Sequence, residues 1–271
     1  MAKKAVSERG VSIRLACQAF EVSETCYRYS AKRNADNEEI ANWLMRLTDN
    51  HRNWGFGLCF LYLRNVKGFT WNHKRVYRLY SEADLAVRKR KKAKRPVSER
   101  TPLQAAQNVN EVWSMDFVSD SLSNGRRIKC LTVADDFSHE CVDIATDYGI
   151  SGHYVTRLLD QAAIFRGYPR AVRTDNGPEF TSRAFMAWAQ RHGIRHLLIE
   201  PGRPMQNGYI ESFNGKFRDE CLNEHWFTSL AHARVIVEAW RREYNEERPK
   251  KSLGGLTPAD YAQRLVQNPL N

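Results

Sequence analysis

The sequence predicts an α/β fold: a mixed five-stranded sheet flanked by helices and preceded by a small all-α region. Helical periodicity dominates residues 11–84, whereas from residue 109 three consecutive strand patterns give way to helices that alternate with strands. Between the two regions, residues 88–95 read RKRKKAKR, with seven basic side chains in eight. Like charges at this density repel one another and resist packing, so the run is interpreted as an exposed linker.

The first region is predicted to form short helices. Helical patterns cover residues 11–20, 23–29, 37–48, 55–65 and 72–84. Ser23 and Asn72 stand where helix N-caps are expected. The last of these helices also presents a set of basic side chains that can meet phosphates, namely Lys74, Arg75 and Arg78. Helix–turn–helix modules have this pattern, but so do many other small helical domains.

The second region contains strand patterns as well as helical ones. Strands are predicted over residues 109–118, 127–134 and 139–145, and they are followed in order by a helix at 151–166, a strand at 170–174, a helix at 182–192, a strand at 194–199 and helices at 207–222 and 229–246. Three consecutive strands followed by alternating helices and strands is the ribonuclease H-like order. Near the last helix, Trp226, Trp240 and Tyr244 are interpreted as packing residues.

Three carboxylates stand out by their context. Asp116 lies within the first strand, and a carboxylate among apolar neighbours is costly to bury unless it is paired or bound to metal. Asp175 directly follows a strand and opens a turn, DNGP, although an ordinary turn aspartate has the same pattern. Glu211 shares a polar helical stripe with Asn207, Asn214 and Arg218, which a solvated helix face also explains. Asp135 and Asp136 also follow a strand and are interpreted as turn residues.

Converging carboxylates of this kind are hard oxygen ligands for two Mg²⁺ or Mn²⁺ ions. Two such ions roughly 3.5–4 Å apart can activate an attacking oxygen and stabilise the leaving oxygen in phosphoryl displacement. Arg218 lies about two turns beyond Glu211 and can hold a phosphate of a bound strand. The residues therefore suggest phosphoryl transfer on a polyanionic substrate.

Several segments resemble one known family. WSMDF (113–117), RTDNGPEF (173–180) and PMQNGYIESFNGKFRDECLN (204–223) resemble the DDE integrase core that retroviral integrases share with bacterial insertion-sequence transposases. YNEERPKKSLGGLTPADY (244–261), HRNWGFGLCFLYLR (51–64) and WNHKRVYRLY (71–80) resemble the integrase-like subunit of the insertion-sequence family that encodes its transposase in two overlapping frames. Two positions depart from that pattern. Lys250 stands where histidine is common, and Gly57 stands where arginine is usual.

The resemblance implies a transposase or integrase subunit that cleaves and transfers DNA strands in a metal-dependent reaction. Asp116, Asp175 and Glu211 would be both the catalytic residues and the ligands of Mg²⁺ or Mn²⁺. The residues expected to contact DNA are Arg218, Lys216, Asn207, Lys74, Arg75, Arg78, Arg88, Lys89, Arg90, Lys91 and Lys92. The partners expected are element-end and target DNA, an upstream-frame subunit and further copies of the chain. No membrane partner is expected.

Charge and cysteine usage agree with this expectation. Residues 1–100 contain 22 basic and 10 acidic side chains, whereas residues 101–271 contain 20 and 21. The whole excess of positive charge therefore lies in the first third of the chain, which suits nucleic acid, although a highly soluble surface has the same balance. Six scattered cysteines without a CxxC pair fit a reducing cytoplasm, and no apolar run is long enough to span a membrane.

The expected domains are an N-terminal helical segment (1–36), a helix–turn–helix-like DNA-binding module (37–86), a basic linker (87–104), a ribonuclease H-like integrase catalytic core (105–225) and a C-terminal helical extension (226–271). Two alternative functions stay open. One is a structure-specific ribonuclease H-like nuclease that hydrolyses without strand transfer. The other is a catalytically silent, domesticated DNA-binding protein.

Overall fold

A computed structural model describes residues 1–29, 35–87, 106–200 and 207–267 of the chain. Within it the chain divides into two compact units, Met1–Trp43 and Leu44–Asn271. Apart from Val87, the predicted linker (87–104) lies outside the described residues, and the domain limits proposed from the sequence stay predictions. None of the described helices is long and apolar enough to cross a membrane.

The first unit is helical. It contains α1 (Ala2–Arg9), α2 (Ile13–Ala19), α3 (Glu24–Arg28) and the beginning of α4 (Ala35–Asn50). The Ser23 hydroxyl accepts a hydrogen bond from the Cys26 backbone N–H at 3.1 Å, so the predicted N-cap of α3 is confirmed.

The second unit begins with the rest of α4 and two further helical segments. Helix α5 (Phe56–Leu61) continues into a π-helical turn over Tyr62–Val66, where the sequence predicts a single helix. Helix α6 (His73–Glu82) begins at the predicted cap, because the Asn72 side chain accepts a hydrogen bond from the Lys74 N–H at 2.9 Å.

A five-stranded mixed sheet follows, as predicted. Its strands are β1 (Val112–Ser121), β2 (Arg127–Asp135), β3 (Cys141–Asp147), β4 (Ala171–Thr174) and β5 (Arg195–Leu198), in the spatial order β3-β2-β1-β4-β5. β1 pairs antiparallel with β2, and β2 pairs antiparallel with β3. β4 is parallel to both β1 and β5.

Helices cover both faces of the sheet. They are α7 (Gly152–Arg166), α8 (Arg183–Arg191), α9 (Gly208–Glu220) and α10 (Leu230–Glu246). A further helix, α11 (Pro258–Gln267), packs against α10 and was not predicted from the sequence. Trp113 and Met115 of β1 belong to the core that α7 and α8 close, whereas Val118 belongs to the core that α9 and α10 close. This division follows from the alternation of side chains along a strand.

The prediction that all three aromatic residues near α10 are packing residues is only partly correct. Trp240 and Tyr244 are buried in the core between α10 and the sheet, which confirms their packing role. Trp226 is 76% exposed, so the packing role predicted for it is wrong. Trp226 precedes α10, and the neighbouring Phe227 enters the core in its place.

Candidate active site

Two of the three predicted carboxylates meet through strand register. β1 and β4 are parallel neighbours, and Ser114 pairs with Arg173. Continuing that register by two residues brings Asp175 level with Asp116. Because side chains repeat every two residues along a strand, both aspartates lie on the sheet face that α9 covers. Asp175 itself follows the end of β4, and its charge raises the pKa of Asp116, so the two carboxylates lie close enough to interact.

The turn after β4 shapes the position of Asp175. Its Oδ1 accepts a hydrogen bond from the Gly177 N–H at 3.0 Å. The Asn176 side chain donates to the Ile199 carbonyl at 3.0 Å and thereby ties the turn to the end of β5. A Cβ atom at position 177 would lie 3.0 Å from Asp175 Oδ1, so glycine leaves that carboxylate the room it needs.

Helix α9 supplies the third carboxylate from an exposed position. Its apolar residues Phe213 and Phe217 enter the core and set the rotation of the helix on the sheet. Asn214, one turn after Glu211, donates from Nδ2 to Asp116 Oδ2 at 2.9 Å. The polar stripe predicted on this helix therefore does meet β1.

Electrostatics also link the three carboxylates. Partial burial raises the pKa of Asp116, and the negative charges of Asp175 and Glu211 raise it further. Hydrogen bonds from the Phe117 N–H and from Asn214 act in the opposite direction. Within the described ranges, none of the three carboxylates has a cationic partner. The same residues contain no group of three histidine, cysteine or acidic side chains placed to hold a metal ion.

The basic residues predicted on α9 occupy different surroundings. Arg218 is exposed, and its Nη2 donates to the Ser119 carbonyl of β1 at 2.9 Å. Lys216 donates to the carbonyl and hydroxyl of Ser212, one turn earlier on the helix, at 2.8 Å each. Asn207 is only 4% exposed at the start of the helix, where its side chain makes no capping hydrogen bond.

The remaining predicted DNA contacts lie far along the sequence from the carboxylates. On α6, Lys74 is exposed and Arg75 is half-buried. Arg78 forms an ion pair with Glu82, in which Nε lies 3.6 Å from Oε1. The contacts predicted in the basic run lie outside the described residues, namely Arg88, Lys89, Arg90, Lys91 and Lys92. All of these assignments stay predictions.

The two aspartates at the end of β2 have different roles. Asp135 accepts backbone hydrogen bonds from Asn110, Phe137 and Ser138, which confirms it as a turn residue. Asp136 lies in the turn, as predicted, but its buried side chain has a further role that was not predicted, an ion pair with Arg173 of β4. Burial raises the pKa of Asp136 to about 6 even beside that guanidinium. Strand pairing brings these two residues together from 37 positions apart.

Asn214 is a site residue that the sequence interpretation did not assign. Besides its hydrogen bond to Asp116, its Oδ1 accepts a hydrogen bond from Thr132 Oγ1 of β2 at 2.8 Å. Both ends of the amide are therefore held, which orients the group that contacts Asp116. The feature of the sequence that could have identified Asn214 is its position three residues after Glu211 on the polar stripe of the helix.

Comparisons with known proteins agree with this architecture. Residues 106–204 and residues 192–258 each match a family model described as an integrase core domain. An uncharacterized 39.2 kDa protein of insertion element IS476 from Xanthomonas euvesicatoria is 60% identical over 252 residues, which cover 93% of this chain and 72% of that protein. The putative transposase InsK of insertion sequence element IS150 from Escherichia coli strain K12 is 26% identical over 90% of this chain and 91% of its own length.

A solved structure shares the fold. A chain in the simian T-cell lymphotropic virus intasome, determined in complex with the PP2A regulatory subunit B56 gamma, superposes with a TM-score of 0.54 at 16% identity, covering 81% of this chain and 74% of that chain. The sheet order, the flanking helices and the family matches agree with one another. The chain belongs to the integrase-core family of insertion-sequence transposases.

Proposed function

We propose that this transposase cleaves and joins DNA strands through divalent metal held by Asp116, Asp175 and Glu211. One observation supports this assignment above the others. Asp116 on β1, Asp175 directly after β4 and Glu211 on α9 have no cationic partners among the described residues, and the charges of the last two raise the pKa of Asp116. A cluster of uncompensated negative charge is unfavourable unless a cation neutralises it.

The donor set fits Mg²⁺ or Mn²⁺, because both ions prefer carboxylate oxygens. When bound there, two such ions supply the positive charge that activates an attacking oxygen and stabilises a leaving oxygen in phosphodiester chemistry. Asn214 keeps one oxygen of Asp116 occupied and so orients its carboxylate. The Gly177 N–H does the same for Asp175.

Arg218 is placed to approach the substrate backbone. It lies at the exposed end of α9, two turns beyond Glu211, and its hydrogen bond to the Ser119 carbonyl holds the guanidinium beside β1. A guanidinium can bind a phosphate in bidentate geometry. We propose that Arg218 contacts DNA through such a phosphate. We also propose that the protein works as an oligomer on element-end and target DNA, and that an upstream-frame subunit joins this complex.

The assignment is tested with purified full-length chain, a labelled element-end duplex, a target duplex and Mg²⁺ or Mn²⁺. Asp116→Asn, Asp175→Asn and Glu211→Gln should each reduce strand-transfer product by more than the roughly 10- to 100-fold that is typical of changing a residue outside the ligand set. The matched control is Asp120→Asn, four residues further along β1, which should retain activity. Wild-type rates in the three variants would overturn the catalytic assignment.

The same assay separates the two alternatives. A nuclease would release cleaved strands without joining them to the target duplex. A silent DNA-binding protein would retain the duplex without cleaving it. Joined product that disappears in Asp175→Asn supports the proposed strand transfer over both.

A further inference from the structure

A cavity of about 850 Å³ lies between α9, the turn after β2 and the segment that follows α10. Its lining includes three lysines, which are Lys216 from α9 and the neighbouring pair Lys250 and Lys251. None of the three carboxylates proposed to hold metal lines this cavity. The cavity is therefore a feature separate from the proposed metal site.

The other charged groups around the cavity already have partners. Asp136 is paired with Arg173, and Asp135 is occupied by backbone N–H groups. Arg248 is neutralised by Glu220, which accepts from its Nε at 2.8 Å and from its Nη2 at 2.6 Å. Within the described part of the chain, the three lysines have no carboxylate partner. The Lys216 ammonium donates to the carbonyl and hydroxyl of Ser212, and Lys250 Nζ lies 4.9 Å from the centre of the Tyr244 ring, so no acidic side chain among the described residues offsets the positive charge of the cavity.

A tight turn holds two of these lysines in place. The Lys250 N–H donates to the Leu256 carbonyl at 2.9 Å, and the Lys250 carbonyl accepts from the Gly255 N–H at 2.8 Å. The side chain of Lys251 lies against Gly57, where a Cβ atom would be 3.4 Å from both its Cε and its Nζ. Both departures from the family pattern therefore lie here, because Lys250 is one of the pair and Gly57 contacts the other.

The electrostatic environment of the cavity favours an anion. Burial, together with the nearby charges of Lys216 and Arg248, lowers the pKa of Lys250 to about 7. Burial likewise lowers the pKa of Lys216, and burial together with the two lysines lowers that of His139 to about 4. A buried cation without a counter-charge is unfavourable, and a bound anion would remove that cost.

We propose that this cavity binds a backbone phosphate of DNA through Lys216, Lys250 and Lys251. The inference rests on the proposed function for its ligand, since it takes DNA to be the substrate. Lysine ammonium groups bind phosphate as point charges and do not need the planar geometry of a guanidinium. The cavity would hold the strand at a second point, apart from the reacting phosphate.

The first test measures duplex binding by fluorescence anisotropy as a function of salt. Lys250→Met and Lys251→Met in the full chain should each weaken binding about tenfold and reduce the slope of log affinity against log salt by about one. Lys67→Met, which removes an exposed lysine outside the cavity, is the control and should change neither quantity. Unchanged affinity and slope in both cavity variants would overturn the proposal. Thermal unfolding of each variant verifies that it is folded.

A second test uses the titration of Lys250. Its charged or titratable surroundings comprise Lys216 and Glu220 of α9, Tyr244 and Arg248 at the end of α10, His139, Asp135 and Asp136 in the turn after β2, Cys141 of β3, and Lys251. Wild-type affinity for duplex should fall between pH 7 and pH 9, because free Lys250 loses its proton there. Lys250→Arg stays charged and should retain its affinity at pH 9. An equal decline in wild type and Lys250→Arg would contradict the contact.

Inorganic phosphate distinguishes the source of the anion. With ionic strength held constant by chloride, a Tm increase in wild type but not in Lys250→Met, accompanied by the duplex effects above, supports the cavity as a phosphate site that DNA uses. A Tm increase without any duplex effect would overturn the DNA assignment and leave a site for free phosphate. If wild type binds no duplex at all, the proposed function itself fails, whereas intact duplex binding with unaffected lysine variants rejects only the cavity.

Discussion

The side-chain amide of Asn214 links the least exposed of the three carboxylates to two elements of the fold. It donates to Asp116 and accepts from Thr132, so α9 and β2 together determine where that carboxylate points. Second contacts of this kind orient metal ligands and contribute to metal affinity. With Asp116 as a proposed metal ligand, we propose that Asn214 acts through it as a positioning residue.

Replacing this amide should affect metal use. Asn214→Leu removes both hydrogen bonds and should lower the strand-transfer rate by about 10- to 100-fold. It should also raise the Mg²⁺ concentration that gives half-maximal activity, which purely structural damage would not do. Titration of Mg²⁺ in the strand-transfer assay measures both effects. Asp219→Asn, also on α9, is the control, and an unaltered Mg²⁺ dependence in Asn214→Leu would refute the positioning role.

His139 should make stability depend on pH. Its folded pKa of about 4 lies below the ordinary 6.5, so the unfolded state takes up a proton first as the pH falls. The contribution is present above pH 6.5 and is lost between pH 6.5 and pH 4. Across that range wild type should lose on the order of 2 kcal/mol more unfolding free energy than His139→Asn.

Urea unfolding at pH 7, 5.5 and 4.5 measures this difference. Asparagine suits the position because residue 139 has a φ of 58°, a left-handed conformation that asparagine tolerates. Parallel pH curves for the two proteins would mean that His139 does not keep its low pKa in the folded state.

At the scale of elements, the backbone conformation and close packing of the turn between Lys250 and Leu256 favour glycine at position 255. Gly255 has a φ of +84°, and a Cβ atom there would lie 2.7 Å from Asn65 Nδ2 and 2.9 Å from Leu61 Cδ2. The Asn65 side chain also donates to the Gly255 carbonyl at 2.7 Å. The close approach joins the end of α5 and the π-helical turn to the segment that carries the lysine pair.

Gly255→Ala should therefore be strongly destabilising. We expect a loss of about 1 kcal/mol from the left-handed backbone and about 1–3 kcal/mol more from the crowding. Gly68→Ala is the matched control, because Gly68 has a φ of +77° with no atom near its added Cβ. Denaturant unfolding of both variants gives the comparison, and equal losses would show that the crowding is relieved without cost.

Sequence patterns predicted most elements because their signals are local. Ser23, Asn72 and Ser151 each accept a hydrogen bond from a backbone N–H two or three residues later, so the helix starts could be predicted from neighbouring residues alone. The π-helical turn and α11 were missed. The π-helical turn is held by Asn65 against Gly255, a partner 190 positions away.

At the scale of the whole molecule, α5, the π-helical turn and α6 belong to the same compact unit as the sheet, whereas α1–α3 belong to the other unit. The Tyr62 hydroxyl donates to Glu247 Oε2 at 2.9 Å, and the Asn53 side chain donates to the Asp219 carbonyl at 2.7 Å. These contacts join the segment after α4 to α9 and to the end of α10. Residues 44–267 should accordingly unfold together.

Tyr62→Phe tests this coupling. It should lower the unfolding free energy by about 1 kcal/mol, the typical contribution of one such hydrogen bond. Native-state hydrogen exchange should then accelerate equally in α5 and α10, because a single opening exposes both. Tyr77→Phe, whose hydroxyl makes no hydrogen bond within the described residues, should leave both unchanged. Faster exchange confined to α5 would indicate independent unfolding.

The amino-acid sequence alone was sufficient for the fold class and the strand and helix order, and it singled out the three carboxylates that are proposed to hold metal. These depend on periodicity, on caps and on residues directly next to each carboxylate. Only the tertiary structure decided that Asp136 pairs with Arg173, that Trp226 is exposed, that Asn214 holds Asp116, and that Lys250 faces Lys216. The reason is physical: a residue's partners across the sheet follow from strand register and helix rotation, which the packing of the whole core determines.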